Sequence, residues 1–132
     1  MEPVPDLTDT PIHLGLGPTA LPVEDFAWDP EALARYEQRF ASDGDEGRLV
    51  TMFDVAADWD AWERHPAGDE VVVVVAGRFR MIQEIDGEER PVEVGAGGYV
   101  INGPGVWHTV DVLEPGRALF ITPGRGTGHK PR

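Results

Sequence analysis

The chain has 132 residues, enough for one domain that buries roughly two-thirds of its unfolded surface without covalent staples. It has no cysteine, which excludes a disulfide framework, a thiolate metal site and a cysteine nucleophile, and its formal net charge of −13 argues against a nucleic-acid partner, which needs clustered Lys and Arg. No apolar run approaches a membrane span, and Met1-Glu2-Pro3 lacks the basic and apolar pattern of a signal peptide, so a cytoplasmic protein with no membrane partner is expected.

Residues 1–28 contain Pro3, Pro5, Pro11, Pro18 and Pro22 and show no clear period. They predict an extended arm, with a short strand near Ile12 to Leu16 in which His13 is read as a surface or packing residue. Asp29-Pro30-Glu31 is a helix start, with Asp as N-cap, Pro at the first helical position and Glu in the first turn. The helix is expected to reach about Phe40 and to dock Leu33, Tyr36 and Phe40 on one face. Ser42 to Gly47 reads as an acidic loop. Ser42 is the only serine and sits in that loop, which disfavours a serine hydrolase; Lys130 is the only lysine, which disfavours Schiff-base chemistry.

From Arg48 the pattern changes to strands: Leu49 to Val55, the approach Asp58 to Trp62, Glu70 to Val75, Phe79 to Ile85, Val92 to Val94, Tyr99 to Asn102, Trp107 to Leu113 and Ala118 to Thr122. Turns are predicted at Gly77, Asp86-Gly87, Gly95 to Gly98, Gly103-Pro104-Gly105, Glu114-Pro115-Gly116 and Pro123-Gly124. Short strands at this spacing with no helix between them argue for an all-β barrel or sandwich. The five consecutive valines suit a strand covered on both faces. The division is therefore an arm and helix over 1–47, a barrel over 48–124 and a C-terminal tail over 125–132, where His129 lies on a flexible-looking segment.

Two stretches carry candidate chemistry. In Trp62-Glu63-Arg64-His65-Pro66-Ala67-Gly68-Asp69-Glu70, residues two apart on a strand face the same side, so Glu63 and His65 can converge, and Glu70 heads the returning strand across the turn. His108, after Gly103-Pro104-Gly105, opens another strand and completes a set of two imidazoles and two carboxylates. Such a set holds a divalent ion: iron, manganese, nickel or zinc. Trp62 and Trp107 each precede a member of the set and should face away from it, and Asp69 should face away from Glu70.

These residues resemble the two motifs of the cupins, a family of small β-barrels. The first motif reads G-x5-H-x-H-x(3,4)-E-x6-G; Glu63 stands where its first His belongs, while His65, Glu70 and Gly77 match, and Ala57 replaces the opening glycine. The second reads G-x5-P-x-G-x2-H-x3-N; Gly97, Gly105 and His108 match, Gly103 takes the proline position with Pro104 beside it, and Val112 replaces the Asn. The resemblance implies an all-β double-stranded β-helix, or jelly-roll, barrel with the arm and one short helix packed on it. It also implies a metal held by Glu63, His65, Glu70 and His108, a small-molecule ligand in the barrel mouth, and a homodimer.

Replacing the first His by Glu63 changes the electrostatics. Three His and one Glu leave a divalent site near +1, whereas two of each bring it to about zero, which acidifies bound water less and attracts anions less. Glu63 could instead serve as a base beside the ion, or pair with an arginine such as Arg80. Without Glu63, two His and one carboxylate resemble the facial triad of non-haem iron oxygenases. By alternation, Phe53, Phe79, Met81 and Val110 face inward and are candidates to meet a substrate. Three readings follow: a metal-dependent enzyme such as a dioxygenase or isomerase in which Glu63 is catalytic, a non-catalytic binding module, and a structural barrel with a buried polar network.

Overall fold

Two long strands, β5 (Glu70–Ile85) and β8 (His108–Thr122), pair antiparallel and carry the rest of the computed structural model, which describes residues 3–132. Of the residues used in the signal-peptide argument, Met1 and Glu2 lie outside the described part. The C-terminal half of β8 pairs with β3 (Arg48–Val55), which pairs with β1 (Ile12–Leu14), which pairs with β2 (Ala20–Pro22). The N-terminal half of β5 pairs with β7 (Tyr99–Asn102). The other halves of the long strands form a second layer with β4 (Ala61–Arg64), β6 (Glu88–Gly95) and β9 (Gly128–Pro131).

β5 and β8 were expected as four short strands. Both instead run through Gly77 and Glu114-Pro115-Gly116, and the register shifts between Val74 and Phe79 mark bulges where the pair bends from one layer to the other. A bulge bends a strand without ending it, which turn residues in a sequence do not reveal. The bends sit back to back: a β-carbon at Gly77, whose φ is 82°, would come within 2.6 Å of Gly116 Cα. Glycine is required on both sides of that crossing.

Between the layers lies the core of Val55, Val72, Val74, Phe79, Met81, Val94, Val110, Ala118 and Phe120, drawn from both halves of each long strand. The valine run does not have two covered faces. Val72 and Val74 point inward, whereas Val71 and Val73 are half-buried and Val75 is exposed, the period-two pattern of an antiparallel sheet with one open face.

The helix forms as its start signal dictates. α1 (Pro30–Arg39) has Asp29 as N-cap, accepting a hydrogen bond from Ala32 N at 2.8 Å. The acidic segment after it winds into 3-10 turns over Ala41–Glu46, broken at Gly44. His13 on β1 ties these pieces together. It is buried, stacks on Phe40 at 3.7 Å, and its Nδ1 and Nε2 meet Tyr36 Oη at 2.6 Å and Asp43 Oδ2 at 2.7 Å. Burial and Asp43 push the Tyr36 hydroxyl pKa well above its ordinary value.

Residues 125–132 are not a loose tail. β9 adds to the edge of β4, with Glu63 opposite His129, and Lys130 is held by Glu84 at 3.2 Å and by the faces of Trp62 and Trp107. Arg132 reaches Asp111 at 2.6 Å and the Trp59 carbonyl at 2.9 Å. A glycine-rich end rich in charge reads as tail from composition; its partners on β4, β5 and β8 are what order it.

Candidate metal centre

Strand register places the candidate residues in one spot. His108 at the start of β8 is flanked by Glu63 of β4 and Gln83 of β5, and Glu63 is flanked in turn by His129 of β9, so four polar side chains form a row across one layer. From the facing layer, Glu70 heads β5 opposite Asn102 of β7. His65 follows the end of β4 and reaches the same point. Ligand atoms of Glu63, His65 and His108 all lie within 4.8 Å of one another, a spacing that can hold a metal ion.

Glu70 stands between the two imidazoles, with Oε2 3.0 Å from His65 Nε2 and Oε1 3.2 Å from His108 Nε2. Its orientation is fixed from behind: Thr122 Oγ1 donates to Oε2 at 2.7 Å and Asn102 Nδ2 donates to Oε1 at 3.1 Å, while Asn102 Oδ1 accepts from Gln83 Nε2 at 2.9 Å. All three central side chains are buried, at 2% exposure for His65, 3% for Glu70 and 4% for His108. Glu63 is half-buried, with Oε1 3.5 Å from His65 Nε2 and 3.9 Å from His129 Nε2. Arg80 pairs with Glu93, so the alternative in which Glu63 neutralises Arg80 is not realised.

Among the described residues, His65 Nε2 and His108 Nε2 are buried with no well-directed hydrogen bond, their neighbours being the Glu70 oxygens at 3.0 and 3.2 Å. A buried polar nitrogen without a partner is costly. The other nitrogen of His108 accounts for its state: Nδ1–H donates to the Val106 carbonyl at 3.0 Å, so in the neutral ring Nε2 carries a lone pair. Two orphaned nitrogens turned toward two carboxylates fit a cation, and these residues suit a divalent metal.

Burial alone would raise the Glu70 pKa, but the adjacent His108 and His65 outweigh it and hold the carboxyl well below the usual carboxylate range. Burial would lower His108, but Glu70, the Val106 carbonyl and Glu63 raise it. Burial raises Glu63 and its acidic neighbour Glu70 adds to the effect, partly offset by the imidazoles.

Glu63 also borders an open cleft of about 440 Å³ lined by Asp58, Trp59, Asp60, Ala61, Glu63 and His129. The four apolar candidates lie elsewhere. Phe79, Met81 and Val110 are buried in the core, and Phe53 packs against it, stacked on Phe120 at 4.7 Å. Sequence reasoning missed Asn102, Thr122 and Thr127. Asn102 and Thr122 end apolar strands just before Gly-Pro and Pro-Gly turns, where a polar residue at an inward position is the available signal; Thr127 gave none.

A family model described as the cupin domain matches residues 49–122. No curated protein matches the sequence. Among solved structures, hydroxypropylphosphonic acid epoxidase from S. wedmorenis in complex with fosfomycin is similar at 18% identity and TM-score 0.49, over 57% of this chain and 43% of that one. This chain thus spans less than half of the epoxidase. A cupin-2 domain protein from Shewanella frigidimarina is similar at 21% identity and TM-score 0.48, over 64% of this chain and 71% of that one. A cupin superfamily protein from Desulfitobacterium hafniense is similar at 13% identity and TM-score 0.49, over 57% and 65% of the two chains.

Proposed function

The chain belongs to the cupin family, and on that premise we propose that it is a divalent-metal-dependent enzyme acting on a small organic molecule bound in the cleft beside Glu63. The observation that carries this reading is the pair of buried Nε2 atoms that face carboxylates with no well-directed hydrogen bond among the described residues. In it, His65, His108 and Glu70 hold the ion from inside and Glu63 completes the set from the cleft side. A bound divalent ion supplies a Lewis acid that polarises a substrate carbonyl or hydroxyl and acidifies water.

The residues of the chain do the rest. Thr122 and Asn102 hold Glu70 so that both oxygens serve the site. Glu63 is the acid–base group common to the site and the cleft, and burial raises its pKa above the ordinary carboxylate value, which suits it to take a proton and return it. Trp59 lines the cleft and gives it an apolar wall. Asp58 and Asp60 line the cleft while the nearby Arg132 guanidinium is taken up by Asp111, so the rim is acidic and favours a neutral or positively charged molecule over a carboxylate or phosphate. The ion is iron, manganese, nickel or zinc by its nitrogen and oxygen ligands. The proposal covers the dioxygenase and isomerase classes alike.

Elemental analysis of protein purified without an affinity tag, beside a His65→Ala/His108→Ala variant, tests the reading. Near one equivalent of one of these metals in the parent, lost in the variant, followed by turnover in a screen of small neutral and amine substrates, is the expected result. Metal with ligand-induced stabilisation and no turnover would make the protein a binding module. No uptake after loading with each ion would leave only a structural barrel.

A further inference from the structure

We infer that Thr127, on the turn leading into the C-terminal strand, is the positioning residue that fixes His65 in its metal-ready tautomer, making that strand part of the metal centre. The inference rests on the metal-binding reading above and concerns this chain's own residues.

His65 Nδ1 lies 2.8 Å from Thr127 Oγ1. A threonine hydroxyl can donate or accept, so that contact alone leaves the imidazole proton unassigned. A second contact decides it. Thr127 Oγ1 also lies 2.8 Å from the Gly124 carbonyl, which can only accept, so the single hydroxyl proton points there. The hydroxyl lone pair then faces His65, Nδ1–H must donate to it, and the neutral ring carries its lone pair at Nε2, toward Glu63 and Glu70.

The two histidines therefore reach the same state by different routes. His108 is set by its own local backbone, through Val106 two residues away, whereas His65 is set from 62 residues away in sequence. The delivery is rigid. Thr127 N donates to the Gly124 carbonyl at 3.2 Å, closing the turn, and Gly126 has a φ of 78°. Gly128 pairs with Arg64, the residue before His65, and Lys130 is clamped by Glu84, Trp62 and Trp107. A shift of β9 would carry the hydroxyl off Nδ1 and free the ring to change tautomer or rotate.

The test compares the parent with Thr127→Val, which keeps the shape and removes the hydroxyl, and Thr127→Ser, which restores it. Nitrogen-15 imidazole spectra of the metal-free proteins, at a pH where the rings are neutral, read the tautomer directly. His65 is expected as Nδ1–H in the parent and the Ser variant and as a mixture or the opposite tautomer in the Val variant, with His108 unchanged. Cobalt(II) and zinc titrations are expected to show affinity lowered about 10–100-fold in Thr127→Val and recovered in Thr127→Ser. Unchanged tautomer and affinity in Thr127→Val would overturn the inference. If no form takes up metal, the functional reading fails, and the tautomer spectra alone then uphold or overturn the positioning role.

Discussion

Thr122, the last residue of β8, donates its hydroxyl to Glu70, the first residue of β5, at 2.7 Å. The two long strands thus meet end to start at the candidate metal centre, and their pairing aims the carboxylate. Glu70→Ala would remove an acceptor from Thr122 Oγ1 and Asn102 Nδ2 as well as a proposed metal ligand. Zinc uptake is expected to be lost, and the metal-free protein to lose about 1–3 kcal/mol in urea denaturation, the cost of leaving buried donors without a partner. Uptake equal to the parent would reduce the centre to Glu63, His65 and His108.

Glu63 is assigned the proton as well as a place in the ion's ligand set, Glu70 the ion alone, and their variants should separate. Glu63→Gln keeps an oxygen ligand of the same reach but cannot take a proton. It is expected to retain metal while kcat falls about 10²–10⁴-fold, the range of general acid–base assistance. Equal loss of metal and rate would make Glu63 a ligand alone.

The pH dependence of stability should change sign on loading. In the metal-free protein His108 has a raised pKa, so its contribution is complete below the unfolded imidazole value and is lost as pH rises through the folded one. Glu70 has a depressed pKa, so its contribution is present above the ordinary carboxylate range and is lost only as pH falls through its lower folded value. Glu63, raised by burial, costs stability as pH rises and it ionises. Metal competes with protons for the imidazoles, so the metal-induced rise in Tm is expected to be small near pH 5.5 and to grow toward pH 8. A metal-induced shift that shrinks with rising pH would contradict binding at His65 and His108.

Motif spacing made the convergence of Glu63, His65, Glu70 and His108 legible, because they lie at strand ends, where alternation and the intervening turns fix direction. The barrel was legible for the same reason. What stayed hidden depends on pairing between distant segments. Gly77 and Gly116 look like turn residues until β5 and β8 are laid against each other. Thr127 means nothing until β9 finds β4, and Asp58, Asp60 and His129 form a cleft wall only in register. Phe53, Phe79, Met81 and Val110 were read as inward-facing, as they are, but inward here means a filled core.

His13 provides a control outside the proposed ligand set, two strands across from Thr122 in register. His13→Phe would preserve stacking on Phe40 while leaving Asp43 and the Tyr36 hydroxyl without their partner. A loss of about 1–3 kcal/mol in denaturant unfolding is expected, with metal stoichiometry unchanged. Loss of metal along with stability would show that arm docking and the metal centre are coupled.

The glycine crossing should be the least tolerant point of the barrel. A β-carbon at Gly116 would collide with the Ala76 carbonyl oxygen and come within 2.6 Å of Gly77 Cα, all of it backbone that cannot rotate away. Gly97 is the contrast. Its φ of 88° strains any side chain, yet nothing lies within 4 Å of the added carbon. Gly97→Ala is therefore expected to cost about 1 kcal/mol and leave the metal centre intact. Gly116→Ala must spread β5 from β8 at the bend, and because those strands carry Glu70 and His108, it is expected to lose both soluble yield and metal. A Gly116→Ala protein with parental Tm and zinc affinity would mean that the strands cross with more room than this structure shows.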